Sequence, residues 1–82
     1  MSTQAHPQLR HGSTGELVRH LQDLLNRVDR KRNSGNPPPL NVDGYFGYNT
    51  QTAVKLFQKY YGLSIDGIAG PKTWEKLEQA VR

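Results

Sequence analysis

The sequence predicts an all-α fold, a compact three-helix bundle. Three observations predict it: three segments carry apolar residues at helical spacing, a Gly-x-x-Gly turn precedes each, and turn formers or prolines fill the stretches between. At 82 residues the chain has room for a single domain. Hydrophobic residues make up 34% of it, enough for a small core and too many for a disordered chain. There is no Cys, so neither a disulfide nor a thiolate-bound metal can brace the fold, which must rest on packing and turn geometry.

Residues 1–8 are polar and interrupted by Pro7, and are expected to form a flexible leader ahead of a domain spanning residues 9–82. The first helix is announced by Leu17, Val18, Leu21, Leu24, Leu25 and Val28, which fall on one stripe. Ser13 and Glu16 have capping-box spacing at its start. The segment 29–39 reads as an exposed basic, Pro-rich loop insertion, because Asn33-Ser34-Gly35-Asn36 favours turns and Pro37-Pro38-Pro39 cannot be helix interior. Asp43-Gly44, flanked by Leu40, Val42, Tyr45 and Phe46, is a hairpin signal and predicts a very short local strand pair. Thr50, Ala53, Val54, Phe57 and Tyr61 mark the second helix, with Gly62 as its stop. Pro71 suits the first position of a third helix whose buried side holds Trp74, Leu77 and Val81.

An internal repeat ties these elements together. Asp43-Gly44-Tyr45-Phe46-Gly47-Tyr48-Asn49-Thr50 recurs 23 residues later as Asp66-Gly67-Ile68-Ala69-Gly70-Pro71-Lys72-Thr73, and Gly12-Ser13-Thr14-Gly15 is a fainter echo. The Asp can accept from amides just ahead of it, the first Gly can take positive φ, and the Thr is placed to help satisfy the open amides of the helix it begins.

These residues resemble the family of small bacterial peptidoglycan-binding domains. Leu9-Arg10-His11-Gly12-Ser13-Thr14-Gly15-Glu16-Leu17-Val18-Arg19-His20-Leu21-Gln22 is similar to its opening signature. Val42 to Thr50, followed by Ala53-Val54 and Phe57-Gln58, is similar to its central motif, and Gly62 to Trp74 completes the likeness. The resemblance covers Leu9 to Leu77 and implies a three-helix module without catalytic residues that accompanies cell-wall hydrolases or transpeptidases. The 29–39 segment departs from the family's short connection at this point.

The repeated Asp and Gly residues are explained by turn formation, and Phe46, Phe57 and Trp74 by the core. The candidate ligand-binding residues are Tyr45, Tyr48, Asn49, Gln51, Arg10 and Arg19. The tyrosines can stack on a sugar face, the amides can both donate and accept, and the arginines can pair with stem-peptide carboxylates. No metal site is expected, since His6, His11 and His20 lack ligand spacing and neither Asp-Gly loop has the alternating acids of a calcium loop. Catalytic residues and cofactors are not expected either: Ser13, Ser34 and Ser64 have turn or cap roles, and Asp43 and Asp66 each belong to their own turn.

The formal charge of +4 suits an anionic partner. Arg30-Lys31-Arg32 has no interleaved aromatics, so nucleic acid is not expected, and no apolar stretch is long enough for a membrane span. The expected partner is peptidoglycan, glycan or stem peptide, together with a cell-wall hydrolase or other protein that the module serves. The expected location is the cell envelope, periplasm or wall, for a bacterial or a phage-encoded chain, although no export signal is visible. The alternative is a protein-interaction adaptor on the same scaffold.

Overall fold

The structure is a computed structural model that describes residues 8–33 and 39–82, with residues 30–33 described by their backbone. Three helices follow in order: α1 (Glu16–Asn33), α2 (Tyr48–Tyr60) and α3 (Pro71–Ala80). α1 is the spine and packs against both of the others. Its stripe, Val18, Leu21, Leu24, Leu25 and Val28, is buried against Phe46, Val54, Phe57, Trp74 and Leu77. Each such side chain contributes roughly 1.5–3 kcal/mol when fully buried, which is what lets three short helices persist together. None of the described helices is long and apolar enough to cross a membrane.

α1 is longer than the sequence pattern suggests. Residues 29–33, expected in the loop, continue the helix, because Asp29-Arg30-Lys31-Arg32 contains no breaker and Arg and Lys are good helix formers. The remainder of the expected insertion, 34–38, and leader residues 1–7, with His6, lie outside the described residues.

The segment before α1 stitches the bundle together. Leu9 pairs with Ala69 through reciprocal backbone bonds of 3.2 and 2.8 Å. Farther on, Gly12 donates to the Phe46 carbonyl (2.8 Å), Phe46 donates to Ser13 (2.9 Å) and Gly15 donates to Gly44 (2.9 Å). Among the described residues the strand pairing consists of two isolated antiparallel bridges, Leu9 with Ala69 and Thr14 with Tyr45, and not of the expected local hairpin around Asp43-Gly44. The Phe46 amide and the Gly44 and Phe46 carbonyls pair with the N-terminal segment and not across the turn.

The helix termini also differ in detail from the sequence reading. Ser13 does not cap α1: its hydroxyl accepts from the Arg10 amide (3.0 Å), closing an earlier turn, while Val18 and Arg19 donate to the Gly15 carbonyl. Gly47 and Gly70 are the N-caps of α2 and α3, and neither helix receives a side-chain cap. Pro71 takes the first position of α3. α2 ends in a Schellman motif, with Leu63 donating to Gln58 (2.8 Å) and Gly62, at φ +72°, donating to Lys59 (3.4 Å).

Candidate functional site

Each repeated turn is held by a buried glutamine from the preceding helix. Gln22, on α1, is only 1% exposed. Its Nε2 donates to Asp43 Oδ1 (3.1 Å), the Tyr45 carbonyl (3.0 Å) and Thr50 Oγ1 (3.1 Å), and its Oε1 accepts from the Gly44 amide (3.0 Å). Gln58, on α2, does the same for the second turn. Its Nε2 reaches Asp66 Oδ1 (2.9 Å), the Ile68 carbonyl (3.0 Å) and Thr73 Oγ1 (3.1 Å). Its Oε1 takes the amides of Asp66 (3.1 Å) and Gly67 (3.0 Å). A primary amide remains neutral while its two N–H bonds, shared here among three acceptors, and its carbonyl oxygen serve the turn, so it can satisfy a buried turn without burying a charge.

The Thr hydroxyls are therefore spent on the glutamines and not on the helix amides, which corrects the sequence expectation. The two aspartates close the turns as anticipated, with Tyr45 donating to Asp43 Oδ1 (3.0 Å) and Ile68 to Asp66 Oδ1 (2.9 Å). Those amides, helped by the glutamine heads, hold both carboxyls below the usual aspartate range, and Arg19 adds a weaker pull on Asp43. Gly44 and Gly67 sit at φ +79° and +73°, where a side chain would be strained.

Sequence reasoning misses both glutamines, although a signal is present. Gln22 falls between Val18, Leu21 and Leu25 on the apolar stripe, and Gln58 between Val54, Phe57 and Tyr61. A glutamine on a buried stripe requires partners, and the Asp-Gly turns supply them.

The first clamp presents a surface. Tyr45 is 50% and Tyr48 74% exposed, and both border a small depression of about 230 Å³ that also touches Asn49, Leu40 and Asn41. The Tyr45 ring lies over Gly47, close enough that a Cβ there would stand 2.8 Å from its Cε2, and meets His11 edge-on at 6.5 Å. Leu40, Asn41, Tyr48 and Asn49 also form one end of a larger groove, about 540 Å³, between the second half of α1 and the outer face of α2. Asn26 fixes the wall of that groove by donating to the Leu40 carbonyl (3.0 Å) and accepting from its amide (2.8 Å).

The structure thus brings Tyr45, Tyr48 and Asn49 together. It does not bring the other three candidates to them. Gln51 lies against Gly67 on the second turn, Arg10 donates to Gln8 Oε1 (3.1 Å), and Arg19 runs along Gly44. Sequence reasoning also misses Asn26, Asn41 and Tyr60 as groove residues, since their meeting depends on how α1 crosses α2. His20 is engaged in stacking on Trp74, ring centroids 5.8 Å apart.

Comparison with known proteins is consistent with this architecture. The model of the family described as "Putative peptidoglycan binding domain" matches residues 14–77. Among curated relatives, the chain is 45% identical over 71 residues to a zinc D-Ala-D-Ala carboxypeptidase of Streptomyces albus G, covering 87% of this chain and 26% of that protein. It is 34% identical over 83 residues to a spore cortex-lytic enzyme of Halalkalibacterium halodurans, covering 96% of this chain and 23% of the relative. The chain thus spans about a quarter of either enzyme's length. Among solved structures, the SleB N-terminal domain superimposes with a TM-score of 0.76 at 37% identity, covering 93% of this chain and 94% of that one. A Burkholderia AP3 phage endolysin gives 0.73 at 38% identity, covering 89% and 25%.

Proposed function

The chain belongs to the peptidoglycan-binding domain family, and on that premise we propose that it binds bacterial cell-wall peptidoglycan without catalysis and holds a cell-wall-active partner at the wall, in the envelope. The observation that carries the reading is the pair of exposed tyrosines, Tyr45 and Tyr48, beside Asn49 on a turn that Gln22 holds rigid. Aromatic rings fixed before binding lose little conformational entropy when a sugar face settles on them. Arg10, Arg19 and Gln51 lie outside this depression, and in this proposal they serve at most as peripheral contacts. The relatives' lengths, about four times the matched region, support a role beside a catalytic unit, and tethering would raise a modest affinity through effective concentration.

The test is co-sedimentation of the folded domain with purified peptidoglycan sacculi. Wild type is expected in the pellet, and Tyr45→Ala with Tyr48→Ala is expected in the supernatant while its circular dichroism stays unchanged. A wild-type domain that remains soluble at low salt refutes the proposal. Specific capture of a protein by a domain that ignores the wall would establish the adaptor reading in its place.

A further inference from the structure

Peptidoglycan offers two chemistries, a glycan strand bearing acetamido groups and a stem peptide bearing carboxylates. Resting on the reading that the domain binds peptidoglycan, we propose that the groove between α1 and α2 takes the glycan strand, recognising N-acetylated hexosamine units, and not the stem peptide.

The shape of the groove suits a long ligand. Tyr48, Thr52, Leu56 and Tyr60 all line the groove and recur at four-residue spacing, so they form one ridge of α2 with a tyrosine at each end. Twelve residues of helix rise about 18 Å while the ridge winds about 120° round the axis, which sets one aromatic platform at each end of the groove. Both rings are exposed, Tyr48 at 74% and Tyr60 at 61%. The groove's 540 Å³ lies inside the range of about 300–1,000 Å³ usual for ligand sites.

The floor of the groove is apolar, from Leu25, Val28, Ala53 and Phe57. Apart from Asp29, the polar side chains lining the groove are amides and hydroxyls, chiefly the exposed amides of Asn41 and Asn49 and the hydroxyl of Thr52. An acetamido group matches this combination: a methyl for the apolar floor, an N–H and a carbonyl for side-chain amides.

Among the described lining residues the one acidic side chain is Asp29, and none is Lys or Arg. A stem-peptide carboxylate placed beside Asp29 would meet like charge, whereas a neutral glycan meets no such opposition. Arg10 and Arg19, which suit a carboxylate, do not line the groove. The wall facing the ridge is fixed before binding, since the Asn26 head is committed to Leu40.

The experiment is NMR titration of the isotopically labelled chain with three probes: a β-1,4-linked N-acetylglucosamine tetramer, cellotetraose and a synthetic stem pentapeptide. The acetylated tetramer is expected to shift the amides of Asn41 and of residues 48–60. Cellotetraose, with hydroxyls where the acetamido groups stand, is expected to bind about tenfold more weakly. The pentapeptide is expected to leave the groove amides unmoved. Tyr60→Ala, which removes an exposed ring and leaves the core intact, is expected to weaken the tetramer about tenfold, the usual worth of a stacked aromatic. Wild-type shifts map the site even if a variant fails to fold. Groove shifts with the pentapeptide but not the tetramer overturn the proposal, as does tetramer binding elsewhere on the surface. Groove shifts that grow with protein concentration alone would assign it to a second copy of the chain and overturn the proposal too. A domain that pellets with sacculi yet ignores the tetramer defeats the glycan assignment only, whereas one that does not pellet defeats peptidoglycan binding itself.

Discussion

Replacing Gln22 by Glu changes one atom's hydrogen-bonding sense at the centre of the first clamp, and the structure sets the size of the effect. The new carboxylate would still accept from the Gly44 amide, and Thr50 can rotate its hydroxyl to donate to it. What fails is the side facing Asp43 Oδ1 and the Tyr45 carbonyl, now 3.1 and 3.0 Å from an acceptor that has nothing to give. Burial and the neighbouring Asp43 carboxylate both oppose ionisation, so the introduced acid has a folded pKa raised above its unfolded value of about 4.3. The folded state then binds the extra proton, and stability falls as pH rises from the unfolded pKa toward the folded one. Each tenfold change in proton affinity is worth about 1.36 kcal/mol, so a hundredfold change makes the loss roughly 3 kcal/mol at pH 7 and about 1 kcal/mol at pH 5. For a domain of this length the loss at pH 7 is on the order of 10–20 °C in Tm. Urea unfolding followed by circular dichroism at the two pH values measures it. A Gln22→Glu protein as stable as wild type at pH 7, or one whose deficit is the same at both pH values, would refute the clamp as the determinant of this turn.

Two further outcomes follow from the same geometry. Gly47→Ala puts a methyl 2.8 Å from the Tyr45 ring at a backbone angle (φ −98°) that any residue adopts. Stability is therefore expected to change by less than about 1 kcal/mol, while the displaced ring lowers retention on sacculi, read by co-sedimentation. Asp43 and Asp66 have folded pKa values depressed by the Tyr45 and Ile68 amides. Their contribution is thus fully present above the unfolded value of about 3.9 and is lost as pH falls through the folded one. Urea midpoints from pH 7 down to pH 2 should hold level with respect to these groups until about pH 4 and then drop. Asp43→Asn with Asp66→Asn, which keeps an acceptor for each amide, should flatten the part of that drop due to the two turns.

Much of this fold is legible in the sequence because its determinants are local. The stripe from Val18 to Val28, Pro71 at the start of α3 and Gly62 at the end of α2 are short-range patterns that tertiary packing does not override. The failures share a different cause. Sequence reasoning gives the Ser13 hydroxyl, the Thr50 and Thr73 hydroxyls and the hairpin-like Asp43-Gly44 the nearest available partner. In the folded chain each serves another: the Arg10 amide, the heads of Gln22 and Gln58, and the segment 12–15. The candidate site divides in the same way. Tyr45, Tyr48 and Asn49 belong to one turn and meet, whereas Gln51 is carried round α2 to the second turn, Arg10 pairs with Gln8, and Arg19 stays beside Gly44 without lining the depression.

The duplicated clamp also explains why a single copy displays a candidate binding surface. Gln22 and Gln58 grip Asp-Gly turns with matching sets of partners, so the two turns are nearly the same object to the backbone. What differs is the side chains pointing away from the clamp. The positions that hold Tyr45, Tyr48 and Asn49 in the first copy hold Ile68, Pro71 and Lys72 in the second. Ile68 is half-buried and Pro71 serves the start of α3, so the second copy is committed to completing the bundle. Because each glutamine satisfies its turn internally, the outward side chains of the first copy are not needed to satisfy the turn's polar groups. A repeat built this way can alter its ligand contacts without altering its turns, which is why the Asp and Gly residues identify the family while the tyrosines and amides beside them are the residues to test for binding.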